Sequence, residues 1–256
     1  MKVKKNVDRV RLVNAAMQRI PCDTTIENVQ LVNVLTEEIY PASVDILDGM
    51  IVRVRTEGQL TKNPSAEVID GGGKYLLPGF IDSHMHVESS LMVPENFGKT
   101  AVTWGTTTVV TDPHEIANVD GISGVKYMIE SAKKSPLRQF VLAPSCVPAM
   151  PNLESSGASF GAKEISEILD LESVIGIAEL MDYNGVYNND ERMRAIIDEG
   201  LKRDVYLQGH APFITEEKLA AYLVAGVESD HEVQNAKNLL EKIRAGMKTN
   251  LKASSF

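Results

Sequence analysis

Apolar and polar positions alternate with two different rhythms along this chain. Val7, Val10, Leu12, Val13, Ala16, Met17 and Ile20 fall at helical spacing, which predicts one amphipathic helix over Val3 to Arg19, ahead of Pro21. From Thr24 the texture changes: "TTIENVQLVNVLTEEIYPASVDILDGMIVRVRT" is rich in Val and Ile in near-alternation, and "DGM" interrupts it as a hairpin turn does. Thr24 to about Asp70 is therefore expected to be a small domain of several short antiparallel strands. "DGGGKY", Asp70 to Tyr75, reads as a glycine hinge into the next unit.

From Leu76 the rhythm becomes strand, loop, helix. Strands are predicted at "YLLPGFIDSH", "TTTVVTD", "QFVLAPS", "VIGIAEL", "VYLQGH" and "GVESDH", with helices at "GISGVKYMIESAKK", "GAKEISEILDL", "NDERMRAIIDEGLKR" and "TEEKLAAYLVAG". Alternating strands and helices imply parallel βα units, and short continuous apolar strands fit a sheet covered by helices. An eight-stranded barrel takes about 250 residues by itself, and some 70 are already spent. The expected architecture is α/β: an incomplete TIM-like (β/α) barrel of about six strands, preceded by the small β-domain, with an open sheet as the alternative. The expected boundaries are 1–75, 76–247 and 248–256, the last a polar tail without strand character.

Composition narrows the function classes. A net charge of −9 over 256 residues argues against nucleic acid as the main partner. No run of about 18 uncharged apolar residues predicts a membrane span, and no apolar stretch follows the basic "MKVKKNVDRV" as a secretory signal requires. Cys22 and Cys146 form no CxxC, so neither a disulfide framework nor a cysteine zinc site is expected, and a cytoplasmic location is.

All five histidines fall at or just after predicted strand C-termini: His84 and His86, His114, His210 and His231, with Glu179 ending the fourth strand. In parallel α/β folds that edge assembles active sites. Side chains two apart on a strand share a face, so His84 and His86 can offer nitrogens to one ion. Glu179 on an otherwise apolar strand calls for a cation beside it, because an unpaired buried carboxylate is costly. Imidazoles with carboxylates and no thiolate suit manganese, iron or zinc alike. A carboxylate shared by two ions brings a bound water within reach of ionising near neutral pH, which points to hydrolysis with an amine or amide leaving. His114 and Glu115 either serve the site or solvate their loop. Glu88 is read first as a cap for a following helix. Asp230 either orients an imidazole or faces solvent, Asp82 is read as structural, and Trp104 as packing.

These residues resemble those of the amidohydrolase superfamily, and "SHMHVESS", "TTTVVTDPHEIANV", "GIAELMDY" and "GVESDHE" resemble the bacterial adenine deaminases within it. The likeness runs from about residue 25 to about residue 247. It implies a binuclear centre with His84, His86, Glu179, His210 and His231 as metal ligands, and Glu179, His231 and Glu115 as catalytic residues. Glu88, Asp112, His114 and Asp230 would neighbour the ions or the substrate. It further implies hydrolysis of adenine to hypoxanthine and ammonia in purine salvage, and a β-domain forming part of a composite sandwich. Family barrels carry an aspartate on an eighth strand with no counterpart in these 256 residues, so a truncated chain with impaired activity is expected. Two rival readings are another amidohydrolase acting on a cyclic amide or amino-purine, and an inactive metal- or purine-binding remnant whose open sheet edges favour homo-oligomers. The one-zinc deaminase pattern, HxE then PCxxC, fails: "HVE" is present but no CxxC follows.

Overall fold

Near-alternation in the first third of the chain produces a sheet, as the pattern requires. The structure, a computed structural model, describes residues 7–56, 58–59 and 65–252, and the chain divides into two units, Met1–Pro78 and Gly79–Phe256. In the first unit α1 (Arg9–Ala16) is capped by the Asp8 carboxylate, which accepts from the Arg11 N–H at 3.1 Å. It ends where Gln18 turns to φ 58°, one residue short of Met17; Val3 and its neighbours lie outside the described residues. Strands β1 (Thr24–Asn33), β2 (Glu38–Leu47), β3 (Met50–Thr56), β4 (Glu67–Asp70) and β5 (Tyr75–Leu76) form one sheet. Asp48 and Gly49, both at positive φ, make the tight β2–β3 hairpin.

Two expectations for this unit are corrected. β4 and β5 pair with β1 in parallel, so the sheet is antiparallel only across β1, β2 and β3. "DGGGKY" is a pinned turn rather than a hinge. The Gly71 N–H donates to Glu27 O (2.8 Å), the Gly73 N–H to Asn28 O (2.7 Å) and the Gly72 N–H to the Asp70 carboxylate (2.8 Å). β1 serves as the shared template for both flanking strands, and composition alone does not reveal such bonds.

In the second unit β6 (Phe80–Met85), α2 (Pro94–Ala101), β7 (Thr106–Thr111), α3 (His114–Ala132), β8 (Arg138–Ala143), α4 (Ala162–Leu169), β9 (Val174–Leu180), α5 (Tyr183–Tyr187), α6 (Glu191–Lys202) and β10 (Tyr206–Gly209) follow in order. The five strands pair in sequence order, all parallel, as a curled half-barrel sheet. Ile165, Ile168, Ile177, Met193, Ile196 and Leu207 are buried together between strands and helices, each contributing roughly 1.5–3 kcal/mol by burial. The interiors of β8 and β9 are largely apolar because helices cover them, whereas β6 is exposed along most of its length.

The sixth predicted strand shrinks to β11 (Ser229–Asp230), which follows α7 (Glu216–Val224). It pairs in parallel not with the five-stranded sheet but with β12 (Lys248–Thr249), beyond α8 (Ala236–Arg244). The expectation that residues after Met247 lack strand character is thereby overturned: Lys248 N–H donates to Glu228 O and Asn250 N–H to Asp230 O. Two polar residues give no period to read, so this strand exists through its partner; residues 253–256 lie outside the described residues. Helices α2, α5 and α8 were not predicted. α3 starts at His114, seven residues earlier than "GISGV", because Gly121 (φ 59°) breaks its helical pattern without ending it. Trp104 is 80 % exposed, against the expectation that it packs.

Candidate metal centre

The parallel sheet delivers its polar strand ends to one place. His84 lies in β6 and His86 just past its end, Glu179 in β9, His210 directly after β10 and His231 directly after β11. Alternation along β6 puts the rings of His84 and His86 side by side, centroids 4.9 Å apart, and His84 stacks on His231 at 3.8 Å.

Glu179 stands at the centre, 2 % exposed. Its Oε1 faces His86 Nε2 (3.0 Å), His114 Nδ1 (3.7 Å) and His84 Nε2 (3.8 Å). Its Oε2 faces His210 Nδ1 (2.6 Å) and His231 Nε2 (3.1 Å). One carboxylate thus divides five imidazoles into two sets, one on each oxygen. Burial pushes its pKa up, but hydrogen bonds from His210, His231 and His86 overcome that and hold it ionised far below the usual carboxylate range.

The tautomers sharpen the picture. His86 Nδ1 lies 3.0 Å from the Asp112 carbonyl, which can only accept, so Nδ1 carries the proton. His84 Nδ1 lies 2.9 Å from Gln208 Oε1, whose amide is oriented by Nε2 donating to Ser83 O. Both rings therefore turn an unprotonated Nε2 toward Glu179 Oε1, acceptor against acceptor, unless a cation or an extra proton intervenes. Without a cation the proton fills that role at His86. Burial lowers its pKa, yet the Glu115 and Glu179 carboxylates push it up to about 11. His84 goes the other way, to about 4, through burial and the neighbouring His231. Three groups offer donor atoms within 4.8 Å of one another: His86, Asp112, His114 and Glu179; His84, Glu179 and His231; His210, His231 and Glu232. Divalent cations of the zinc, manganese and iron kind fit this imidazole–carboxylate donor set.

The remaining candidates divide. Asp112 is fully buried; its Oδ2 orients His114 Nδ1 at 3.0 Å, while its Oδ1 has no partner among the described residues. His114, expected in a loop, starts α3 and is pushed up to about 9: burial opposes the shift, and the Asp112 carboxylate drives it. Glu115 is 38 % exposed, with Oε2 3.4 Å from His86 Nδ1. Glu88 does not cap α2, whose N-cap is Val93; its carboxylate meets the Ile116 N–H in the first turn of α3 at 3.5 Å. Asp230 bonds to no imidazole and does not face solvent: it is buried and paired with Lys242 at 2.8 Å. Asp82 accepts from the His84 N–H at 3.2 Å and plays the local role expected of it.

Sequence reasoning missed the groups that hold these in place. Gln208 orients His84; Ser145 Oγ donates to the Glu179 carbonyl (2.6 Å); Tyr222 Oη donates to Leu180 O and accepts from the His210 N–H. Gln208, two residues before His210 on β10, shares its strand face, and that spacing was the available signal.

Comparison with known proteins places this geometry. The model of the amidohydrolase family matches residues 75–254. The chain is 42 % identical to an adenine deaminase of Serratia proteamaculans over 247 residues, 96 % of this chain and 41 % of that protein. It is equally similar to one of Klebsiella pneumoniae, over 96 % of this chain and 40 % of that protein. The chain thus spans about two-fifths of the length of these curated relatives. Among solved structures, an N-acyl-D-glutamate deacylase of Bordetella bronchiseptica, complexed with zinc, has the same fold with a TM-score of 0.58 at 17 % identity, over 90 % of this chain and 57 % of that one. With its parallel sheet, its strand-end histidines and a family match over most of its length, the chain belongs to the amidohydrolase family.

Proposed function

We propose that this chain carries the metal-binding portion of an adenine deaminase, hydrolysing adenine to hypoxanthine and ammonia. The observation that carries the reading is the divided carboxylate of Glu179, with His84 and His86 on one oxygen and His210 and His231 on the other. Adenine as substrate rests on the similarity to the two deaminases. In this reading residues 76–247 are the hydrolase portion, and His84, His86 and Glu179 would hold one divalent cation while Glu179, His210 and His231 would hold a second. A bound pair supplies Lewis acidity and makes water acidic near neutral pH. The chain's own residues do the rest. Gln208 and the Asp112 carbonyl fix the His84 and His86 rings with Nε2 inward, and Glu179 and His231 set the spacing of the centre. Glu115, a partly exposed carboxylate whose Oε2 lies 3.4 Å from His86 Nδ1, would be placed to take up or deliver a proton. Zinc, manganese and iron all suit the donors. No helix among the described residues is long and apolar enough to cross a membrane, and a cytoplasmic enzyme of a small molecule belongs to the same proposal.

The test is to load the purified chain with manganese or zinc, measure bound metal, and follow ammonia release from adenine and from cyclic amides. Two ions per chain with release from adenine alone is the expected result. No bound metal overturns the reading, and two bound ions with adenine untouched favours a metal-binding remnant.

Loading is also expected to expel protons. At pH 7 the His86 ring, at about 11 without a cation, is doubly protonated, and a ligating imidazole must be neutral. The affinity should therefore rise about tenfold per pH unit between pH 6.5 and 8.5, one proton being displaced. Titrations in buffers of different ionisation enthalpy measure the proton count; a pH-independent affinity contradicts it.

A further inference from the structure

We propose that Lys242 is a positioning residue that fixes the spacing of His210 and His231, an inference that rests on the two-cation reading above. Lys242 lies in the last turn of α8, on a helix rather than at a strand end, yet its side chain is fully buried. Its ammonium donates to the Ala211 carbonyl at 2.7 Å and to Asp230 Oδ2 at 2.8 Å. The other oxygen of Asp230 accepts from the Ala211 N–H at 2.7 Å. Three hydrogen bonds therefore close a ring through both backbone groups of one residue, Ala211.

The places of these residues in the chain give the ring its meaning. Ala211 directly follows His210, and Asp230 directly precedes His231. β10 and β11 do not pair along a shared ladder, so backbone bonding leaves the two segments loosely joined at this level. The Glu228 N–H donates to Leu207 O and the Gly209 N–H to Ser229 Oγ (3.4 Å), both earlier in each segment than the imidazoles. At the level of the imidazoles the join is made by the side chains of Asp230 and Lys242. Both charges are needed: the carboxylate alone reaches the Ala211 N–H, and only the ammonium reaches the carbonyl. Lys242 has no exposed surface and bonds neither to Glu179 nor to an imidazole, so it acts through the segments it ties. Outer groups that orient metal-binding side chains commonly carry 10–100-fold in affinity.

The test compares the 256-residue chain with the charge-neutral pair Asp230→Asn/Lys242→Met, titrating cation against a chromophoric chelator and recording thermal unfolding in EDTA. The parent is expected to bind in two steps, the one belonging to His210 and His231 being identified by its loss in His210→Ala. In the pair variant that step should weaken tenfold or more while the other step and the EDTA unfolding temperature stay close to the parent. Equal weakening of both steps, or an unchanged pair of steps, overturns the positioning role. If the pair variant does not fold, Lys242→Arg is measured instead. Its longer planar fork cannot reproduce the ring, so the same step should weaken, and parental affinity overturns the proposal. A parent that binds no cation at all refutes the two-cation reading, and this inference with it.

Discussion

Glu179→Gln is expected to abolish stable loading of the paired site, lowering cation affinity by at least roughly a hundredfold, beyond the loss typical of an orienting group. The substitution keeps the shape of the side chain but removes its charge and turns an NH2 group toward one of the two imidazole sets. Metal content after gel filtration measures the effect, and retention of two ions contradicts the bridging role. A second readout needs no metal. The carboxyl of Glu179 is held far below its ordinary value, so its ionised form stabilises the fold at any pH above about 4.3, and that contribution is lost as pH falls below it. In EDTA the variant should therefore be less stable than the parent at pH 7, with the deficit shrinking below pH 4.3. Urea midpoints at several pH values follow both limbs.

The largest expected effect on stability comes from Lys242→Met. Lys242 and Asp230 are both fully buried, and removing one member of a buried pair leaves an uncompensated charge that costs about 3–5 kcal/mol. Restoring neutrality with Asp230→Asn should recover most of that loss, because the pair itself gains little over uncharged groups of similar volume. Urea unfolding in EDTA of the single and paired variants measures both numbers; equal stability of the two contradicts the account. This prediction concerns folding, whereas the ring through Ala211 concerns which imidazoles meet, and cation affinity separates the two effects.

Much of the site was legible in the chain because of one geometric rule. Parallel strands covered by helices carry mostly apolar side chains, so a histidine or glutamate at the C-terminal end of such a strand stands out. "FIDSHMH", "GIAEL", "LQGH" and "ESDH" each show it. Glu88, Trp104 and Asp230 were misread because each has its meaning from a distant element: the first turn of α3, open solvent and the end of α8. β12 was invisible for the same reason, two polar residues being a strand only beside Ser229 and Asp230.

Local spacing along this chain determined the strand and helix rhythm, the inward phase of His84 and His86, and the demand for a cation beside Glu179. Those properties depend on residues a few positions apart, which the order of amino acids states directly. The division of imidazoles between two carboxylate oxygens, the tautomers set by Asp112 and Gln208, and the ring through Lys242 were decided by the tertiary structure alone. Each joins residues from about 12 to more than 120 positions apart, and such pairings arise only when the sheet curls and brings its strand ends together.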